Sequence, residues 1–142
     1  MKISTKGRYA LRTIIDIAYH REEGYISLKE IATRQDISQK YLEQIIQILK
    51  KDRILRVERG SHGGYQLERS PEKITVAQIL QLTEGSLAPV ECTEDAEFCE
   101  RSEECVTREI WAGLAHVIQE YLDGITVQDI LGRMSSGYDY VI

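Results

Sequence analysis

The chain has 142 residues, 42% of them hydrophobic, and a net charge of -5; this suffices for one compact domain, or a small domain with an appended helical unit, without disulfide staples. No apolar stretch approaches the ~20 residues that a membrane span needs, and Met1 to Lys6 lacks the apolar core of a secretory signal, so a cytoplasmic protein is expected. The net charge hides a division: residues 1–69 carry 14 Lys and Arg against 9 Asp and Glu, a balance of +5, and residues 70–142 carry 4 against 14, a balance of -10. A basic half on an acidic protein points to a polyanion site with a local field, because surface charges are screened beyond about 8 to 10 Å.

From a Ser4 or Thr5 cap, Ala10, Leu11, Ile14, Ile15, Ile17 and Ala18 recur at helical spacing and predict an amphipathic helix that ends before Gly24. Ser27-Leu28-Lys29-Glu30 has the pattern of a capping box and opens a short helix that closes at Arg34-Gln35-Asp36. A third helix opens at Ser38. It places Tyr41, Leu42, Ile45, Ile46, Ile48 and Leu49 on one face and Lys40, Glu43, Gln44, Gln47 and Lys50 on the other. Two such helices joined by a turn of about three or four residues form a helix-turn-helix, whose second helix can offer polar side chains to the major groove of DNA.

Leu55 to Arg59 alternates like a strand, Gly60-Ser61-His62-Gly63-Gly64 reads as a flexible tip, and Tyr65-Gln66-Leu67 alternates back. The segment predicts a β-hairpin, and a helix-turn-helix followed by a hairpin is a winged helix. Glycines at the tip let the backbone approach a phosphate closely, while Arg56, Arg59 and His62 supply cationic or donor groups; an ordinary hairpin turn is the plainer alternative. After Pro71, Thr75-Val76-Ala77-Gln78 is a second capping box, and its helix should end at Gly85.

Cys92, Cys99 and Cys105, the only cysteines, then fall within fourteen residues of an acidic, loop-like segment. Structural cysteines would be scattered through apolar periodic segments, so this cluster asks for a ligand. In a reducing compartment an odd set of three fits metal ligation or thiol chemistry better than disulfides. Gaps of six and five residues are unlike the short paired spacings of structural zinc. A thiol switch needs cationic neighbours, whereas seven carboxylates here face Arg101 alone. An iron-sulfur centre is the preferred reading, with structural zinc or a thiol switch as alternatives.

Val106, Ile110, Trp111, Leu114, Val117, Ile118, Tyr121 and Leu122 define a long helix that stops at Gly124. Its apolar surface exceeds what one small domain covers, which suits a dimerisation helix; burial against its own winged helix is the alternative. Thr126 to Asp129 starts a last short helix, and the tail from Ser135 is expected to be loose. The expected fold is mainly α with a small β-hairpin, a winged helix-turn-helix plus a long dimerisation helix. Its parts are a DNA-binding domain over 1–70, a connecting helix and cysteine loop over 71–104, and the dimerisation helix with a short C-terminal helix over 105–142.

Four stretches together carry a resemblance: Met1 to Ala10, Ile37 to Gln44, Arg59-Gly60 with Gly63-Gly64-Tyr65, and the cysteine triad. On these the chain resembles the iron-sulfur cluster regulators, the IscR-like winged-helix transcription factors, over nearly its whole length. The resemblance implies a homodimer that binds double-stranded DNA, as a repressor or activator, at a palindromic operator. It also implies a cluster held by Cys92, Cys99 and Cys105, two-iron favoured over four-iron, that tunes DNA binding to iron-sulfur status, redox poise or nitric oxide.

Carried onto this sequence, the resemblance puts Ser38, Lys40, Glu43 and Gln44 at base edges or phosphates and Arg59 in the minor groove; Gln39, Tyr41, Gly60 and His62 complete the candidate set. The chemistry agrees, since Gln pairs with adenine, Glu accepts from cytosine, and Arg gains from the potential of a narrow minor groove. Glu43 on such a helix repels phosphate unless it meets a donor base, which marks it as a specificity element, or else as one half of a solvent-exposed pair. No fourth cluster ligand is legible: Thr107 is an improbable one, and His116 lies ~16 Å along the same helix from Cys105. No Ser-His-Asp set, phosphate loop or paired catalytic carboxylates accompany the cysteines, so no enzyme is expected. A protein-interaction module remains the alternative to DNA binding.

Overall fold

Ser4 accepts a hydrogen bond from the Gly7 amide and opens the first helix, α1 (Thr5–Tyr19), which buries Ala10, Ile14, Ile17 and Ala18 completely. A computed structural model describes residues 2–136. α2 (Leu28–Gln35) starts on the expected capping box, with Ser27 Oγ accepting from the Glu30 amide at 3.2 Å and the Ser27 amide donating to Glu30 at 2.8 Å. The Ser27 hydroxyl, donating to the Glu30 carboxylate at 2.7 Å, and then the Ser27 amide hold that carboxyl below its usual range. Asp36, left-handed at φ 53, ends α2, and Ser38 caps α3 (Gln39–Leu49) two residues later. The short turn pins the two helices as a helix-turn-helix, with Ile37 buried between them.

β1 (Leu55–Glu58) and β2 (Gly64–Leu67) pair antiparallel, from Leu55 opposite Leu67 to Glu58 opposite Gly64. A third edge comes from the segment before α2: Ile26 donates to the Tyr65 carbonyl at 2.9 Å and accepts from the Tyr65 amide at 2.8 Å. Gly64 makes this approach possible. Its φ is +150, and a Cβ there would run into the Ile26 carbonyl.

α4 (Val76–Glu84) opens on the Thr75 box and closes at Gly85, and α6 (Val127–Ser135) opens on a matching box made by Thr126 and Asp129. The two starts are bridged: Val76 donates to the Ile125 carbonyl and Val127 to the Ile74 carbonyl, both at 2.9 Å. Ile74, Ile79, Val127 and Leu131 therefore lie in one core with Ile14, Ile31, Leu42, Ile46 and Ile54. That core takes in residues on both sides of positions 70 and 105, because α4 and α6 both pack on α1. The long helix, α5 (Arg108–Asp123), begins later than its apolar pattern suggested, leaving Val106 exposed in the turn before it. It touches the body through Ile118 and Leu122, which meet Val76, Ala77 and Leu80. Ser135 closes α6 and Ser136 caps it, and the tail from residue 137, expected to be loose, lies beyond the described residues. Among the described residues, no helix is long and apolar enough to cross a membrane.

A polar clamp crosses this core. Asp16, 2% exposed in α1, accepts from Arg34 at 2.6, 3.0 and 3.3 Å and from Gln35 at 2.8 Å. Removing Arg34 would strand a buried carboxylate, whereas exchanging both partners for apolar groups would not. Arg34→Met is expected to lower unfolding free energy by about 3–5 kcal/mol, read by urea denaturation. Adding Asp16→Leu should restore most of the loss, and a double variant as unstable as the single one would refute this account of the clamp.

Candidate DNA interface and cysteine segment

α3 divides by its period. Leu42, Ile45, Ile46 and Leu49 are buried, while Ser38, Gln39, Lys40, Glu43, Gln44 and Gln47 are exposed along one side. The Ser38 hydroxyl already accepts from the Tyr41 amide at 3.2 Å, so it holds the helix start as well as facing outward. Tyr41 differs from the other candidates. It is half-buried and packs edge-on against Tyr9 at 5.9 Å between ring centres, and the Arg12 guanidinium stacks over Tyr9 at 5.0 Å. Tyr41 thus ties α3 to α1.

Arg59, Gly60 and His62 are exposed at the wing tip, which Gly60 turns with φ +110 and a carbonyl that accepts from the Gly63 amide at 3.1 Å. Between α3 and the wing lies an open cleft of about 510 Å³ lined by Lys40, Glu43, Gln44, Gln47 and Tyr65. The structure therefore brings Lys40, Glu43 and Gln44 together beside the hairpin. Tyr65 was missed as a member of this face, since its place in the Gly63-Gly64-Tyr65 run reads as wing shape alone. Burial, and then the nearby Glu43 carboxylate, push its phenol above the ordinary tyrosine value.

Cys92 sits in a 3-10 turn (Glu91–Thr93), Cys99 follows a second (Ala96–Phe98), and Cys105 lies just ahead of α5. All three are free thiols of intermediate exposure. Cys105 Sγ stands 3.3 Å from Thr107 Oγ1, and this hydrogen bond, followed by backbone bonds and the Arg108 charge, draws its pKa below the ordinary thiol value. Arg108 was missed by the expectation that Arg101 was the only nearby cation. Its Nε donates to the Cys92 carbonyl at 3.2 Å, and with Cys105, Thr93, Ser102, Glu103 and Glu109 it lines a cleft of about 340 Å³. Its helix-opening position is the signal that was available, because a first-turn side chain can fold back over the preceding turn.

As a donor set the segment fits a thiolate-bound metal or cluster in chemistry: three free sulfurs on one run of short turns, none committed to a disulfide. It is not gathered. Among the described residues no group of three His, Cys, Asp or Glu side chains stands close enough to hold a metal ion. His116, on α5, lies 3.8 Å from Glu120 and is largely exposed. On the outer side of α5, Ile110, Trp111, Leu114, Val117 and Tyr121 are exposed together, more contiguous apolar surface than a solvated helix carries without a partner.

A family model described as Rrf2, an iron-dependent transcriptional regulator, matches residues 3–133. The protein named rrf2 from Nitratidesulfovibrio vulgaris is 41% identical over 131 residues, 92% of this chain and 87% of the relative. The solved structure of IscR from T. potens superposes with a TM-score of 0.79 at 37% identity, covering 99% of this chain and 93% of its own. CymR of B. subtilis, titled the global cysteine regulator, superposes with a TM-score of 0.78 at 38% identity, covering 94% and 98%.

Proposed function

The chain belongs to the Rrf2 family and is a transcriptional regulator, not an enzyme, and from that premise we propose that it acts as a homodimer that reads a palindromic duplex DNA site and takes its signal at Cys92, Cys99 and Cys105. The observation that carries the DNA reading is the exposed polar side of α3, Lys40, Glu43 and Gln44, lying beside a wing whose tip holds Arg59, Gly60 and His62. Gln44 and Glu43 suit adenine and cytosine edges, Ser38, Gln39 and Lys40 at the start of the helix suit base edges or phosphates, and Arg59 suits a narrow minor groove.

Dimerisation rests on the exposed apolar stripe of α5. A second copy on that stripe would bury it and set two α3 helices on one duplex, for which a spacing of about 34 Å, one helical turn, makes a palindrome. For the cysteines, the iron-sulfur reading is supported by three free thiols on one segment and by likeness to IscR, with a two-iron cluster favoured. Held by Cys92, Cys99 and Cys105, such a cluster would supply a redox- and iron-sensitive link between the Cys92 turn and the start of α5. A second reading, direct thiol sensing, is favoured by the Cys105–Thr107 hydrogen bond beside Arg108 and by likeness to CymR.

Three measurements test these points. The logarithm of DNA affinity should fall with the logarithm of salt, and Lys40→Ala or Arg59→Ala should each flatten that slope by about 0.9; salt-independent binding would remove the DNA reading. Sedimentation equilibrium at micromolar protein should return twice the chain mass, and Leu114→Asp a single chain, whereas a monomeric parent protein would rule out the α5 interface. Anaerobically purified protein should be coloured, with about two iron and two sulfide per chain, and Cys92→Ala should lose them. A colourless, iron-free protein with three titratable thiols would transfer the sensor role to the thiol reading.

A further inference from the structure

Glu43 poses a problem that α3 alone does not solve. It is exposed on the side of the helix offered to DNA, and among the described residues its carboxylate makes no ion pair or side-chain hydrogen bond, even with Lys40 one turn away. A free carboxylate on that side is repelled by phosphate and gains only when a donor is presented to it in the right direction. A residue that fixes its direction as a base arrives would turn a repulsive group into a selective one.

Tyr65 is placed to do this. Its backbone is tied from both edges, opposite Val57 in the hairpin and bonded twice to Ile26, so its ring cannot drift with the wing tip. The ring packs against the core while the residue also lines the cleft shared by Glu43, Lys40, Gln44 and Gln47. A phenol is a neutral donor at physiological pH, and burial beside Glu43 keeps it protonated further into alkali. Phenol to carboxylate is a charge-assisted hydrogen bond, short and directional, and it leaves the second carboxylate oxygen free for a cytosine amino group. Lys40 is the other donor in the cleft, but its flexible ammonium serves a phosphate equally well and sets no direction.

We propose that Tyr65 is a positioning residue for DNA sequence selectivity: when DNA enters the cleft that the two residues line, the Tyr65 hydroxyl, unbonded to Glu43 in the free protein, donates to the Glu43 carboxylate and orients it toward the base pair that Glu43 reads. This rests on the DNA-binding reading above. The wing is thereby a part of base recognition as well as a phosphate or minor-groove contact.

The test selects the preferred duplex from a randomised library with the full-length protein. Affinities for that duplex and its single-base variants are then compared for the parent protein, Tyr65→Phe, Glu43→Ala and the double variant. Tyr65→Phe should leave the salt slope and binding to unrelated duplex unchanged but lower discrimination at one base pair about tenfold, the pair at which Glu43→Ala also loses discrimination. The double variant should be no less selective than Glu43→Ala alone, as expected for two residues acting through one contact. A readout without DNA accompanies this: with tyrosine ¹³C labels assigned through Tyr65→Phe, the Tyr65 phenol should titrate at lower pH in Glu43→Gln than in the parent. Full discrimination retained by Tyr65→Phe at every position, or losses that add to those of Glu43→Ala, would overturn the role of Tyr65 while the DNA reading stands. A parent protein with no sequence preference would remove both.

Discussion

The orientation of α3 depends on a carboxylate removed from water. Asp16 is buried in the middle of α1, where an unpaired charge would be intolerable, and its oxygens are occupied by Arg34 and Gln35 from the last turn of α2. Apolar packing between α1 and α2 would allow the helices to slide by part of a turn at small cost. A bidentate guanidinium and an amide on one carboxylate do not, because each has a single favourable geometry. Arg12 extends the clamp by donating to both the side chain and the backbone carbonyl of Gln35. With the end of α2 fixed and only Asp36, Ile37 and Ser38 between the helices, α3 has little freedom left.

The wing is held by the same economy of connection. Ile26, in the link between α1 and α2, forms the third edge of the hairpin through two backbone bonds to Tyr65. The segment that delivers the chain into the helix-turn-helix therefore also sets the position of β2. Recognition helix and wing are registered to each other through the body of the domain, and the cleft between them is a property of the fold rather than of a loose loop.

What the sequence made legible was local. Ser4, Ser27, Ser38, Thr75 and Thr126 announce helix starts because a cap acts within four residues, and all five are where the chain folds as read. The polar and apolar sides of α3 follow from its period alone. The pairing of Asp16 with Arg34 spans 18 residues, and no local pattern distinguishes it from a solvated charge. The same holds for Tyr65 sharing a cleft with Glu43, and for α4 and α6 joining the first core. The cysteine segment was conspicuous as a cluster of residue types, yet spacing along a chain of short turns does not define distances between sulfurs. Arg108 escaped because its influence on Cys92 and Cys105 comes from folding back over the preceding turn.

The cysteine segment and the winged-helix half nevertheless meet at a defined joint. Glu84 is the last residue of α4, immediately before Gly85 releases the chain into that segment, and it accepts a hydrogen bond from Ser4 Oγ at 2.5 Å. The same Ser4 hydroxyl accepts from the Gly7 amide to start α1. Gly7 is buried there, and a Cβ would collide with the Glu84 carboxylate, so the absence of a side chain lets α4 close over the helix start. From that point α1 is rigid: it carries Tyr9 against Tyr41 of α3 and Arg12 against Gln35 of α2. The end of α4 is coupled to the start of α1 by the Ser4 hydrogen bond and by the Glu84 side chain packed on Gly7. A displacement of Glu84 would break the Ser4 contact or carry α1, and with it α3.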